Sequence, residues 1–213
     1  MFGILSLFKK RGDEIHLTIA TDGSKGGDEI SSKLVEIRKE EAILGLNYLG
    51  RPNFLGINDG QLGFHENDQK KIKDHIFNLN PDLVITHHKN DYHSDHKRLS
   101  ELIDIATGHY IPVLYCDTMM GVGFEPDYYV DITDYFKIKI EAIMKHKSQN
   151  PNRFAKLSKL MNTFRSAQCN APEGFYAEAY SFNNSFPFCD VRALLPEPMK
   201  IRSFHIENQQ GFL

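Results

Sequence analysis

No run in this chain of 213 residues approaches the roughly 18 consecutive apolar residues that a membrane span needs. Cysteine is scarce. Cys116, Cys169 and Cys189 form no CxxC pair and leave an odd count, so neither a disulfide framework nor a cysteine metal knot is indicated, and reduced thiols in a cytoplasmic compartment are the expectation. There is no excess of positive charge either. The balance of 25 Lys and Arg against 28 Asp and Glu, net −3, gives no basic footprint for nucleic acid or an anionic membrane surface. Internal repeats and low-complexity tracts are absent. The opening MFGILSLFKKR is apolar first and basic second, the reverse of a secretory signal, and reads as an amphipathic helix cut off at its start.

What is present suits a globular core: 41% of residues are hydrophobic and 25% charged, and the length predicts one domain over residues 1–213. β-Branched and aromatic runs predict strands at Ile15–Ala20, Leu83–Thr86, Ile111–Cys116 and Tyr128–Val130. Between and after them, apolar spacing predicts helices at Ser31–Leu49, Asp68–Leu79, Lys97–Ala106, Thr133–Lys145 and Asn152–Ala167. Alternation of the two predicts an α/β fold, a mostly parallel sheet with helices on both faces. Ligands of such sheets bind beyond the carboxyl ends of the strands. Three polar turns fall at such ends and are expected to converge: TDGSKGG from Thr21, the turn at His93, and Asp117.

The densest chemistry lies in PDLVITHHKNDYHSDH. His93, Asp95 and His96 admit two readings. One is a metal half-site, in which imidazole suits zinc and Asp95 orients a ring. The other is a solvated turn in which Asp95 caps the next helix. TDGSKGG is neither GxGxxG nor a Walker loop, so it permits a tight turn or close backbone approach without pointing to phosphate. Arg38, Glu40 and Glu41 read as the wet face of their helix, Asp59 as a turn residue, and His146 as a cation at a helix end. The pair His87 and His88 reads as structural. His16, His65, His75, His109 and His205 have no partner legible in sequence.

Taken in order, these segments resemble the PIG-L/LmbE-like family of zinc-dependent N-acetyl-sugar deacetylases. The blocks are ATDGSKGG, VEIRKEEAILGLNYLG, LGINDGQL, PDLVITHHKNDYHSDH, EPDYYVDIT, IEAIMKHKSQ and YAEAY. The resemblance implies a Rossmann-like fold and hydrolysis of an acetamido group on an N-acetylglucosamine-type conjugate, a small-molecule partner. It also implies Zn2+ as cofactor, with His96 as metal ligand. His93 would be the acid or oxyanion stabiliser, Asp95 its support, and Arg38 and Asp59 substrate contacts.

One departure accompanies the resemblance. The family's N-terminal His-Pro-Asp-Asp turn, with two zinc ligands and the general base, has no counterpart here. The expectation is therefore a deacetylase domain that is N-terminally incomplete, lacks its first strand and has an incomplete zinc site, which puts its activity as written in question. The rival is a non-catalytic sugar-binding pseudoenzyme. A phosphoesterase would require more metal carboxylates than the sequence offers.

Overall fold

A computed structural model describes residues 1–25, 31–108, 110–183 and 191–201. Gly26, Gly27, His109, Cys189 and His205 lie outside the described residues. The opening segment is the expected helix, α1 (Phe2–Arg11), ended by Gly12 at φ 97°, a left-handed stop that suits glycine. There follow β1 (Thr18–Thr21), α2 (Ser31–Leu46), β2 (Asn53–Ile57), α3 (Glu66–Leu79), β3 (Val84–Thr86) and α4 (Ser94–Thr107). The remaining main elements are β4 (Val113–Cys116), β5 (Tyr128–Asp131), α5 (Thr133–Ile143), α6 (Pro151–Gln168) and β6 (Ala177–Phe182). No described helix is long and apolar enough to cross a membrane.

The described strands form two sheets, β1–β2 and β3–β4–β6–β5. β1 pairs parallel with β2, and β3 with β4; β6 runs antiparallel to both β4 and β5. No described strand pairs β1 to β3. β4 shows how helices cover both faces. Leu114 and Cys116 enter a core with Ile4 and Phe8 of α1, Val130, Phe136 and Tyr180, whereas Val113 and Tyr115 enter another with Ile72, Ile76, Leu102 and Ile103 of α3 and α4. This alternation with period two is the strand's own geometry.

β2 and β6 are strands that composition alone did not reveal. β2, NFLGI, contains Gly56 at φ 62°, and the β1–β2 register shifts between Ile19 and Thr21, so the segment is bulged. β6, AEAYSF, carries Ala and Glu, which have low strand propensity, yet its first five residues are buried.

Glu178 of β6 explains why a charge is tolerated there. Its carboxylate accepts hydrogen bonds from the N–H groups of Gly3 and Ile4, both 3.0 Å, from Lys139 Nζ at 2.8 Å and from the Tyr180 hydroxyl at 2.7 Å. It thus satisfies two of the donors that the start of α1 leaves unpaired. A Cβ at Gly3 would come within 2.2 Å of Ile132 Cγ2, so only glycine lets α1 approach this closely. Burial alone would raise the Glu178 carboxyl, but Lys139 and the Met1 amino group hold it well below the carboxylate range.

A depressed folded-state value means that Glu178 stabilises above its unfolded value near 4.5, and that this contribution fades as pH falls below it. Glu178→Gln should therefore lower unfolding free energy by about 3 kcal/mol at pH 7, because Lys139 loses its buried partner. Denaturant titration should show the wild-type advantage shrinking between pH 4.5 and pH 3. An advantage independent of pH would contradict the ionised network.

Candidate metal centre

Three polar loops meet beyond the strand ends, and main-chain hydrogen bonds hold them together. Asp22, just after β1, accepts from the N–H of Ser24 and of Asp59, both at 3.0 Å. Partial burial would raise the Asp22 carboxyl, but these bonds hold it below its ordinary value. Asp59 in turn accepts from Lys25 N–H at 3.1 Å and faces Arg38 Nη1 at 3.5 Å. Arg38 also donates to the Gly23 carbonyl at 2.6 Å. Gly23 has φ 68°, and a Cβ there would lie 2.7 Å from Arg38 Cδ, so this turn is specific to glycine. The loop after β2 reaches the third turn through Gly60 N–H, which donates to Asp95 Oδ2 at 2.7 Å.

That third turn carries the donor cluster. β3 ends at Thr86 and His87 follows. The chain then folds back, with Asp91 N–H on the His88 carbonyl at 3.0 Å, and enters α4. His93 is the helix cap: its Nδ1 accepts the Asp95 N–H at 3.2 Å. With Nδ1 an acceptor, the proton of the neutral ring resides on Nε2. The cap is His93 and not Asp95, whose carboxylate is buried and faces Gly60.

The first turn of α4 brings His96 back over His87, with the rings stacked at 3.7 Å and 4°. Asp91 is 4% exposed and stands beside both. Donor atoms of His87, Asp91 and His96 all lie within 4.8 Å of one another. His96 Nδ1 is buried and makes no hydrogen bond, although Asp91 Oδ2 is 3.2 Å away. Two donors bonded to one zinc ion at 2.0–2.1 Å are separated by about 3.3 Å in a tetrahedral site, so His96 Nδ1 and Asp91 Oδ2 already stand at ligand spacing. Burial pushes His87 down to about 3, with His96 adding to the shift. Burial also lowers His96, against the pull of Asp91. Both rings are neutral at pH 7, the form in which imidazole binds metal. Two imidazoles and a carboxylate fit a divalent cation such as zinc.

The sequence pattern of PIG-L, described as GlcNAc-PI de-N-acetylase, matches residues 1–107, half of the chain. The chain belongs to the PIG-L family. It is 28% identical over 149 residues to the diacetylchitobiose deacetylase of Thermococcus kodakarensis, an alignment covering 62% of this chain and 55% of that protein. The chain therefore spans about half the length of that curated relative. The fold resembles N,N'-diacetylchitobiose deacetylase from Pyrococcus horikoshii, with a TM-score of 0.74 and 21% identity over 90% of this chain and 82% of that one. It equally resembles GalB, the 4-carboxy-2-hydroxymuconate hydratase from Pseudomonas putida, with a TM-score of 0.75 and 20% identity over 88% and 90% of the two chains.

All the loops just described lie inside the PIG-L match. His93, Asp95 and His96 fall together, as their spacing indicated, and Arg38 and Asp59 face each other across two loops. Arg38 is not on a wet face. Its side chain is 17% exposed, and Glu41 is buried, accepting from Ser148 N–H and Oγ at 2.8 and 2.6 Å. His87, read from sequence as structural, is part of the cluster, and Asp91 was not singled out. A strand-end histidine four residues before the carboxylate of Asp91 was the only available signal. His88 does pack structurally, edge-on to Tyr115 and Phe124. His146 is not a cation, because burial lowers its value. Cys116 and Cys169 are free thiols, and burial raises Cys116 to about 11.

Asp95→Ala removes the acceptor of a partly buried N–H and should cost about 1–3 kcal/mol in denaturant unfolding. A cost near zero would mean that water replaces the carboxylate and that the bond between the loop after β2 and α4 carries little weight.

Proposed function

We propose that this protein is a metal-dependent hydrolase that removes the acetyl group from an N-acetylglucosamine-type conjugate. The observation that carries the reading is the orphaned His96 Nδ1 at ligand spacing from Asp91, beneath a stacked neutral His87. These three residues would hold the cation. A bound zinc ion supplies an acidified water and polarises an amide carbonyl. The PIG-L match and the diacetylchitobiose deacetylases among the relatives support the substrate class.

His93 carries its proton on Nε2, with its ring 4.6 Å from that of His96. It can therefore offer that proton to an oxyanion or to the departing amine nitrogen. Asp95 acts as a positioning residue: it supplies the N–H that fixes the His93 tautomer, and its carboxylate anchors the loop after β2. Arg38 and Asp59, held by the Asp22 turn, form the polar side on which a sugar's hydroxyl groups would be bound. The likeness to a hydratase shows that this fold hosts more than one reaction, so the donor set carries the assignment.

The test is zinc stoichiometry together with acetate release from N,N'-diacetylchitobiose. About one zinc per chain is expected. It should fall at least about tenfold with His87→Ala, Asp91→Ala or His96→Ala, and hydrolysis should be lost in parallel. His93→Ala should keep the zinc and lose about 10²-fold or more in kcat. Zinc near background with sugar binding intact would replace this reading with a non-catalytic sugar-binding protein.

A further inference from the structure

The net charge of −3 averages over an uneven chain. Between Glu141 and Glu173 there is no Asp or Glu, whereas Lys145, Lys147, Arg153, Lys156, Lys159 and Arg165 all fall there. This stretch runs from the end of α5 through α6. Arg165 is buried and paired with Asp117 at 2.6 and 2.9 Å. The other five cations are exposed and make no ion pair among the described residues. Arg153 stands in the first turn of α6, which has no acidic residue. A cation there opposes the helix dipole, so fold stability does not account for it.

Apolar side chains are exposed among these charges. α6 turns Asn162, Arg165 and Ser166 inward. Its outer side repeats Lys156, Leu160 and Phe164 at steps of about one turn, with Leu160 57% and Phe164 47% exposed. Met120 and Val122 of the neighbouring turn add to this surface, Val122 being 67% exposed. The two parts adjoin, because a Cβ at Gly121 would lie 3.4 Å from Met161 Cε. Between them opens an apolar recess of about 370 Å3, lined by Met119, Met120, Phe154, Leu157 and Met161. Lys145 and Lys147 flank His146, which lines the same recess. Exposed apolar side chains gathered on one face with unpaired cations mark an interaction surface.

We propose that this face docks on an anionic bilayer surface, with Met120, Val122, Leu160 and Phe164 seated among the upper acyl chains and the five cations on the headgroups. No described helix can span a bilayer, so the docking is peripheral. Binding of this kind adds apolar burial to the attraction of each basic residue for anionic lipid. A nucleic-acid face would set its cations around several aromatic rings for base stacking. Here Phe164 stands with Leu, Met and Val beside an apolar recess, which suits lipid. The proposal does not depend on the metal cluster.

The experiment is co-sedimentation of the full chain with phosphatidylcholine vesicles, pure or containing about one-third phosphatidylserine, at low salt. Binding to the mixed vesicles should be at least about tenfold tighter than to the pure ones, and should weaken about tenfold or more with Lys156→Gln and Lys159→Gln together. Leu160→Gln with Phe164→Gln should weaken it to a similar extent, which a purely Coulombic attraction would not do. Lys70→Gln with Lys71→Gln, exposed cations of α3, should leave it unchanged. Thermal unfolding should give each variant the wild-type Tm, since the substituted side chains are exposed. No binding to the mixed vesicles would overturn the proposal, as would an equal loss with the α3 pair or binding indifferent to Leu160 and Phe164. Binding of poly(U) without vesicle binding, lost with the α6 lysines, would assign the face to nucleic acid instead.

Discussion

Glu178 is the constraint on which the C-terminal half depends. Burying a carboxylate costs several kcal/mol unless its lone pairs are matched by good donors. Here α1, α5 and β6 itself each supply one or more of them. Asn162 of α6 completes the set indirectly, donating to the Ala177 carbonyl at 2.7 Å and accepting from Lys139 at 2.8 Å. The position of β6 between β4 and β5 is therefore tied to the placement of three helices. That placement leaves an apolar cavity between α5 and α6, lined in part by Ile143, Phe154 and Leu157. Core packing alone would tolerate small slides of these helices, whereas a fully used buried carboxylate does not.

The helices were legible because each carries an apolar stripe long enough to show its period, and their observed bounds differ from the predicted ones by three residues or fewer. Strands β3, β4 and β5 were legible from β-branched and aromatic runs. β1 begins three residues later than read, since Ile15 to Leu17 precede the paired stretch. β2 and β6 were not legible, the one because Gly56 and a bulge disguise it, the other because its Glu and Ala residues earn their burial from partners distant in sequence. The expected parallel pairing holds for β1–β2 and β3–β4, and β6 adds the antiparallel pairs.

The site divides in the same way. His93, Asp95 and His96 are adjacent in sequence, and their proximity follows from a helix start. His87 and Asp91 join them only because the chain doubles back after β3 and then begins α4 beneath His93. Positions 87, 91 and 96 do not share a helix or a strand, since β3 ends at Thr86 and α4 begins at Ser94. The Asp91-to-His88 main-chain bond, the His93 N–H donated to Asp91 Oδ1 at 3.0 Å and the His93 cap bring them together. The burial of Arg38 was likewise invisible to periodicity, which places it on a polar helix face without revealing the loop that covers that face.

The described strands form two sheets, yet the donor cluster does not straddle them. His87, Asp91, His93 and His96 come from one turn and one helix start, so their spacing is set locally by about ten residues of chain. Arg38 and Asp59 belong to the β1–β2 half and connect to this turn chiefly through Gly60 and Asp95. Metal affinity should accordingly be insulated from strain between the two sheets, because no donor must move with β1 or β2. The Arg38 and Asp59 side of the site should be sensitive to it, since that side moves with those strands. In this arrangement one local turn supplies the candidate metal donors, and the register of the larger fold sets where Arg38 and Asp59 stand relative to them.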